Sequence, residues 1–104
     1  METKLIDVME VIGKPVAVTS PDALKLHNLL VTNIKSGIKS ELDFGRITTL
    51  ITAFLNESIG TLYSVATEDE LNTLISVKKG TVTAKQYNRI HDVLDNAKKK
   101  NREM

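Results

Sequence analysis

The segment Thr19–Ser20–Pro21–Asp22 constrains this chain more than any other, because it starts a helix whose end is equally well marked. Ser20 offers a capping hydroxyl, Pro21 suits the first helical position, and Asp22 faces the positive end of the helix dipole. Leu26, Leu29, Leu30 and Ile34 then fall on one helical face, and Gly37 supplies the stop. Such a helix must bury its apolar stripe against something. The neighbouring segments are strand-like: Lys4 to Ile12 carries Leu5, Ile6, Val8, Val11 and Ile12, and Glu41 to Ile47 carries Leu42, Phe44 and Ile47. Gly13–Lys14–Pro15 is a turn signal, so Val16–Ala17–Val18 is expected to pair with the first strand as a hairpin.

The second half repeats the alternation. Phe54, Leu55, Ile59, Leu62 and Tyr63 recur at helical spacing from Thr52 onward, with Gly60 inside the pattern allowing close helix–sheet packing. Thr67 and Glu70 form a capping box before Leu71 and Leu74; Ile75–Ser76–Val77 reads as a brief strand. A second box, Thr83 to Gln86, opens a last helix with Tyr87, Ile90, Leu94 and Ala97 as its buried stripe. Strands alternating with helices predict an α/β fold: a mixed β-sheet with helices packed on it.

With 104 residues the sequence fits one domain, with a core over about 4–97 and a basic tail over 98–104. There is no Cys, which excludes disulfides and thiolate metal sites. A net charge of +1 provides no overall field for nucleic acid, and Phe44, Phe54, Tyr63 and Tyr87 are the only aromatics for base stacking. No apolar run reaches the roughly 20 residues of a membrane span, and the Glu2–Asp7 start is not a signal peptide. The chain therefore reads as soluble and cytoplasmic.

Catalytic equipment is sparse. Gly13, Gly37, Gly45, Gly60 and Gly80 are too scattered for a phosphate-binding loop, so no cofactor is implied. His27 and His91 lack metal-ligand spacing and belong at the edges of their helices. Asp43, an acid inside a predicted strand, is expected to hydrogen-bond the loop that follows. Thr48, Thr49 and Thr52 cluster between a strand and a helix, where Thr52 is placed to cap the helix and a phosphate on it would be electrostatically tolerated. Lys98 to Arg102 complement a helix C-terminus.

Leu42–Asp43–Phe44, followed by Phe54–Leu55–Asn56–Glu57–Ser58–Ile59–Gly60, resembles a bacterial STAS-like family of unknown function, related to anti-sigma-factor antagonists. There, a strand ending in Leu-Asp-Phe runs into a small-hydroxyl loop and then a helix reaching Gly. The resemblance extends over about Val8 to Ala97. It implies a non-catalytic regulatory module that binds another protein, such as an ATPase-type kinase or a sensor. Arg46, Thr48, Thr49 and Thr52 would form the contact surface, with Thr52 at the phosphoacceptor position. Ile51 stands where the better-known regulators carry Asp, Phe54 where they carry Gly, and Ser20 is followed by Pro21 instead of Arg. Two other readings stand beside this one: a small-ligand or nucleotide site built from Asp43 and the Thr48–Thr52 loop, and nucleic-acid binding through the basic tail. Self-association through a free strand edge is left open by the residues.

Overall fold

In the computed structural model, which describes residues 2–103 (the last two by backbone only), the strands form two small sheets and every pairing is parallel. β1 (Thr3–Asp7), β3 (Lys39–Asp43) and β5 (Ile75–Val77) make the larger sheet in the order β1-β3-β5; β2 (Val16–Ala17) and β4 (Thr49–Leu50) make the smaller. The α/β class with helices on the sheet holds. The mixed sheet and the hairpin do not, because the first strand ends early. Asp7 accepts the Glu10 N–H at 3.4 Å and caps α1 (Val8–Ile12), which Gly13 terminates at φ 77°. That left-handed conformation suits a residue without Cβ. A helix between the first two strands removes the tight turn a hairpin needs, and β2 pairs with β4 instead.

α2 (Ser20–Lys35) follows with Thr19, not Ser20, as its cap: the Thr19 hydroxyl accepts the Asp22 N–H at 3.3 Å. Leu26 and Leu30 are fully buried, and Gly37 adopts φ 71° beyond the last turn. Asn33 donates to the Ser40 hydroxyl at 3.0 Å, a buried bond that ties the end of α2 to β3. Such a polar pair must be satisfied internally, since a lone buried partner costs about 1–3 kcal/mol.

α3 (Thr52–Ser58) is shorter than the apolar spacing predicts. The chain tightens into a 3₁₀ turn over Gly60–Ser64, then enters α4 (Glu68–Leu74) through the expected Thr67–Glu70 capping box, both bonds of which are 3.1 Å. Gly60 faces the last helix, near Val93 and Ala97, and not the sheet. α5 (Ala84–Glu103) starts at the second predicted box, with reciprocal Thr83–Gln86 bonds of 3.0 and 3.1 Å. It buries Ile90 and Val93, while Tyr87 is exposed. Lys98, Lys99 and Lys100 ride on its last turns; in the tail expected over 98–104, the side chains of residues 102 and 103 and all of residue 104 lie outside the described residues. One continuous core joins the sheets and helices and includes the buried Leu42 of β3 with Phe44, Phe54, Leu55 and Leu62. Each such side chain contributes roughly 1.5–3 kcal/mol by leaving water.

Candidate functional site

The register of β1 and β3 ends with Asp7 opposite Asp43, so two carboxylates meet at the carboxyl ends of adjacent parallel strands. Open α/β sheets commonly place their sites at that end. Each acid is engaged locally. Asp43 Oδ1 accepts the Gly45 N–H at 2.8 Å, the loop bond expected of it, in a turn so tight that a Cβ on Gly45 would sit 3.0 Å from the same oxygen. Asp7 Oδ2 accepts from Arg46 Nη1 at 2.9 Å, with the Arg46 side chain more than half exposed.

The next residues latch onto the turn before β2. Thr48 donates both its backbone N–H (2.7 Å) and its hydroxyl (3.2 Å) to the Pro15 carbonyl. Thr49 begins β4 opposite Val16, and its side chain is exposed. The hydroxyl loop is thus held in place from both sides by Asp7 and Pro15.

Thr52 stands apart from that latch. It is the first residue of α3, and Ile51 occupies the cap position with no side-chain hydrogen bond, so Thr52 does not cap the helix as its position suggests. Its side chain is exposed on a polar groove of about 450 Å³ shared with α5, where Lys85, Asn88, Arg89 and Asp92 line the opposite wall. Arg89 Nη1 donates to the Leu50 carbonyl at 2.6 Å, which fixes the guanidinium beside the β4–α3 junction. Lys85 and Arg89 were not singled out from the sequence. Their spacing of four residues on a helix opened by the Thr83–Gln86 box was the available signal, since it places both cations on one face. Ile51, 37% exposed, and Ala53 add an apolar margin to this end of α3.

The remaining chemistry-bearing residues lie elsewhere. His27 Nδ1 lies 2.9 Å from the Thr61 hydroxyl and 3.3 Å from the Ser58 carbonyl, holding α2 to the 3₁₀ turn. His91 lies 3.3 Å from the Tyr87 hydroxyl, one turn along α5, and both residues are exposed. Among the described residues, no three His, Asp or Glu side chains are grouped to hold a metal ion, and no helix is long and apolar enough to cross a membrane.

The structure is thus an α/β fold of parallel sheets with a latched hydroxyl loop between strand and helix. Residues 22–85 match the family model described as STAS-like domain of unknown function (DUF4325), and the chain belongs to that family. No curated protein and no solved structure matches the chain.

Proposed function

We propose that this domain is a regulatory protein-binding module without catalysis of its own. Its contact surface is the Arg46–Thr52 loop and the first turn of α3, and its partner is an ATPase-type kinase or a sensor protein. Thr52 is the phosphoacceptor: its hydroxyl oxygen attacks the γ-phosphoryl group of ATP held by the kinase, ADP leaves, and the hydroxyl proton passes to a base of the kinase.

One observation carries this reading. Thr52 is exposed in a groove that also holds the side chains of Lys85 and Arg89. A phosphoryl group adds about −1.5 to −2 charges and three acceptor oxygens. Lys85 and Arg89 outweigh Asp92 on the same wall and offset part of that charge, and guanidinium is the side chain best shaped to bind phosphate oxygens in pairs. The same charge beside Ile51 and Ala53 disrupts an apolar contact with a partner, so phosphorylation releases it. The latch of Arg46 on Asp7 and of Thr48 on Pro15 supports the reading further, because a preordered loop loses little entropy on binding.

The ligand-site alternative draws less support. Asp43 is engaged with Gly45, Arg46 with Asp7 and the Thr48 hydroxyl with Pro15. The test compares Thr52→Ala with Thr52→Glu. The glutamate releases the partner and the alanine retains it. Equal retention by both removes Thr52 from the mechanism.

A further inference from the structure

A second cavity, of about 310 Å³, lies between α5 on one side and α4 and β5 on the other. That volume is at the lower end of ordinary small-molecule sites. Its walls are aliphatic, from Leu62, Leu71, Ile90 and Leu94, but its chemistry is set by other residues. Both tyrosines of the chain, Tyr63 and Tyr87, line it, together with one of its two histidines, His91. In a chain with only four aromatic residues, gathering the polar-tipped rings in one cleft is a specific feature. Tyr87 and His91 lean on each other with ring centroids 5.0 Å apart.

Ser76 also lines the cleft. Its hydroxyl oxygen is buried and has no hydrogen-bond partner in the protein. That oxygen is closed to solvent, so residue 76 borders the cleft without offering it a polar contact. Tyr63 adds a donor: burial raises its phenol above its ordinary value, helped by Glu68 and Asp95, so it stays protonated. The charged residues lining the cleft are Asp95 and Lys98, three residues apart on α5. Opposite charges at that spacing select neither an anion nor a cation.

We propose that this cleft is a binding site for a planar, uncharged aromatic molecule carrying one hydrogen-bonding group. The rings of Tyr63, Tyr87 and His91 offer edge and face contacts to its ring, and the Tyr63 phenol meets its polar atom. The site is separate from the Thr52 groove and does not depend on the function proposed there.

The test is a titration of the whole chain with indole as probe, followed through backbone amide resonances, with decanoate as the aliphatic anionic comparison. Indole shifts Asn72, Ser76 and His91 saturably, with a dissociation constant of about 1 mM or below, as befits so small a probe. Leu94→Trp fills the cleft and weakens binding at least tenfold. Asn72→Trp, at an exposed position of α4, blocks the cleft from outside the core and gives the same loss if Leu94→Trp fails to fold. The proposal is overturned by the absence of saturable shifts, by shifts confined to other residues, by undiminished binding in folded Asn72→Trp, or by decanoate binding where indole does not.

Discussion

Asp22→Asn is the perturbation whose outcome follows most directly from the geometry. Asp22 is buried to 2% exposure in the first turn of α2. Its Oδ2 lies 3.0 Å from the Lys14 ammonium and its Oδ1 lies 3.7 Å from that of Lys25. The bond to Lys14 holds the carboxyl below its ordinary value of 3.8, against burial, which pushes it up; Thr19 and the charge of Lys25 also lower it. The amide keeps the shape and loses the charge. A charge-assisted hydrogen bond is worth about 1.5–3 kcal/mol and a charge at a helix start about 0.3–1 kcal/mol. Because Lys14 is 46% exposed and solvent screens the pair, about 2 kcal/mol is the expected cost at pH 7. For a domain of this size that lowers the melting temperature by roughly 8–16 °C. Because the folded carboxyl titrates below the unfolded one, its contribution is complete above the unfolded value and disappears as pH falls through the folded value. Thermal melts of both proteins from pH 7 to pH 2.5 should therefore converge in acid. A gap that persists undiminished at pH 2.5 would refute the electrostatic account and assign the cost to packing.

Three further substitutions test other parts of the structure. Leu62→Ala, at a fully buried position in the 3₁₀ turn, should cost about 2–5 kcal/mol in urea unfolding through transfer and cavity terms; a cost below about 1 kcal/mol means the turn is not part of the core. Thr67→Ala removes one half of the α4 capping box and should cost about 1 kcal/mol, with hydrogen exchange rising first at the amides of α4. Arg46→Ala breaks an exposed ion pair and should cost less than about 1 kcal/mol, so any large loss of partner retention in that variant reports contact and not unfolding.

Helix starts were the most legible part of the sequence, because a capping residue and its partner three positions on act locally. Both Thr67–Glu70 and Thr83–Gln86 form as spaced, and α2 runs from its marked start to its marked stop. Strand partners were less legible. Val16–Ala17 is too short to declare whether its partner lies before or after it, and the choice is made by distant Thr49–Leu50. Val8 to Ile12 carries apolar residues that suit a strand or a single buried helical turn. Asp7 decides between them by capping, which a polar residue inside an apolar run does not announce. For α5, Val93 replaces Tyr87 on the buried face because the helix rotates to pack on α3 and the 3₁₀ turn. At the candidate site, the bond from Asp43 to the following loop was readable because an acid inside an apolar strand segment needs a nearby donor; that the strand ends at Asp43 itself was not. The approach of Lys85 and Arg89 to Thr52 was not, since it depends on how α5 crosses the start of α3.

Phosphorylation of Thr52 is the proposed switch of a protein contact. Its most direct measurement is affinity capture of the tagged wild type, Thr52→Ala and Thr52→Glu from the native cells, with and without ATP, with mass spectrometry reading both the retained proteins and the phosphorylation of Thr52. The account predicts a kinase or sensor retained by wild type without ATP and by Thr52→Ala under both conditions, absent from Thr52→Glu, and phosphate on wild-type Thr52 after ATP. An unmodified Thr52, with the same proteins retained by all three chains, would contradict it.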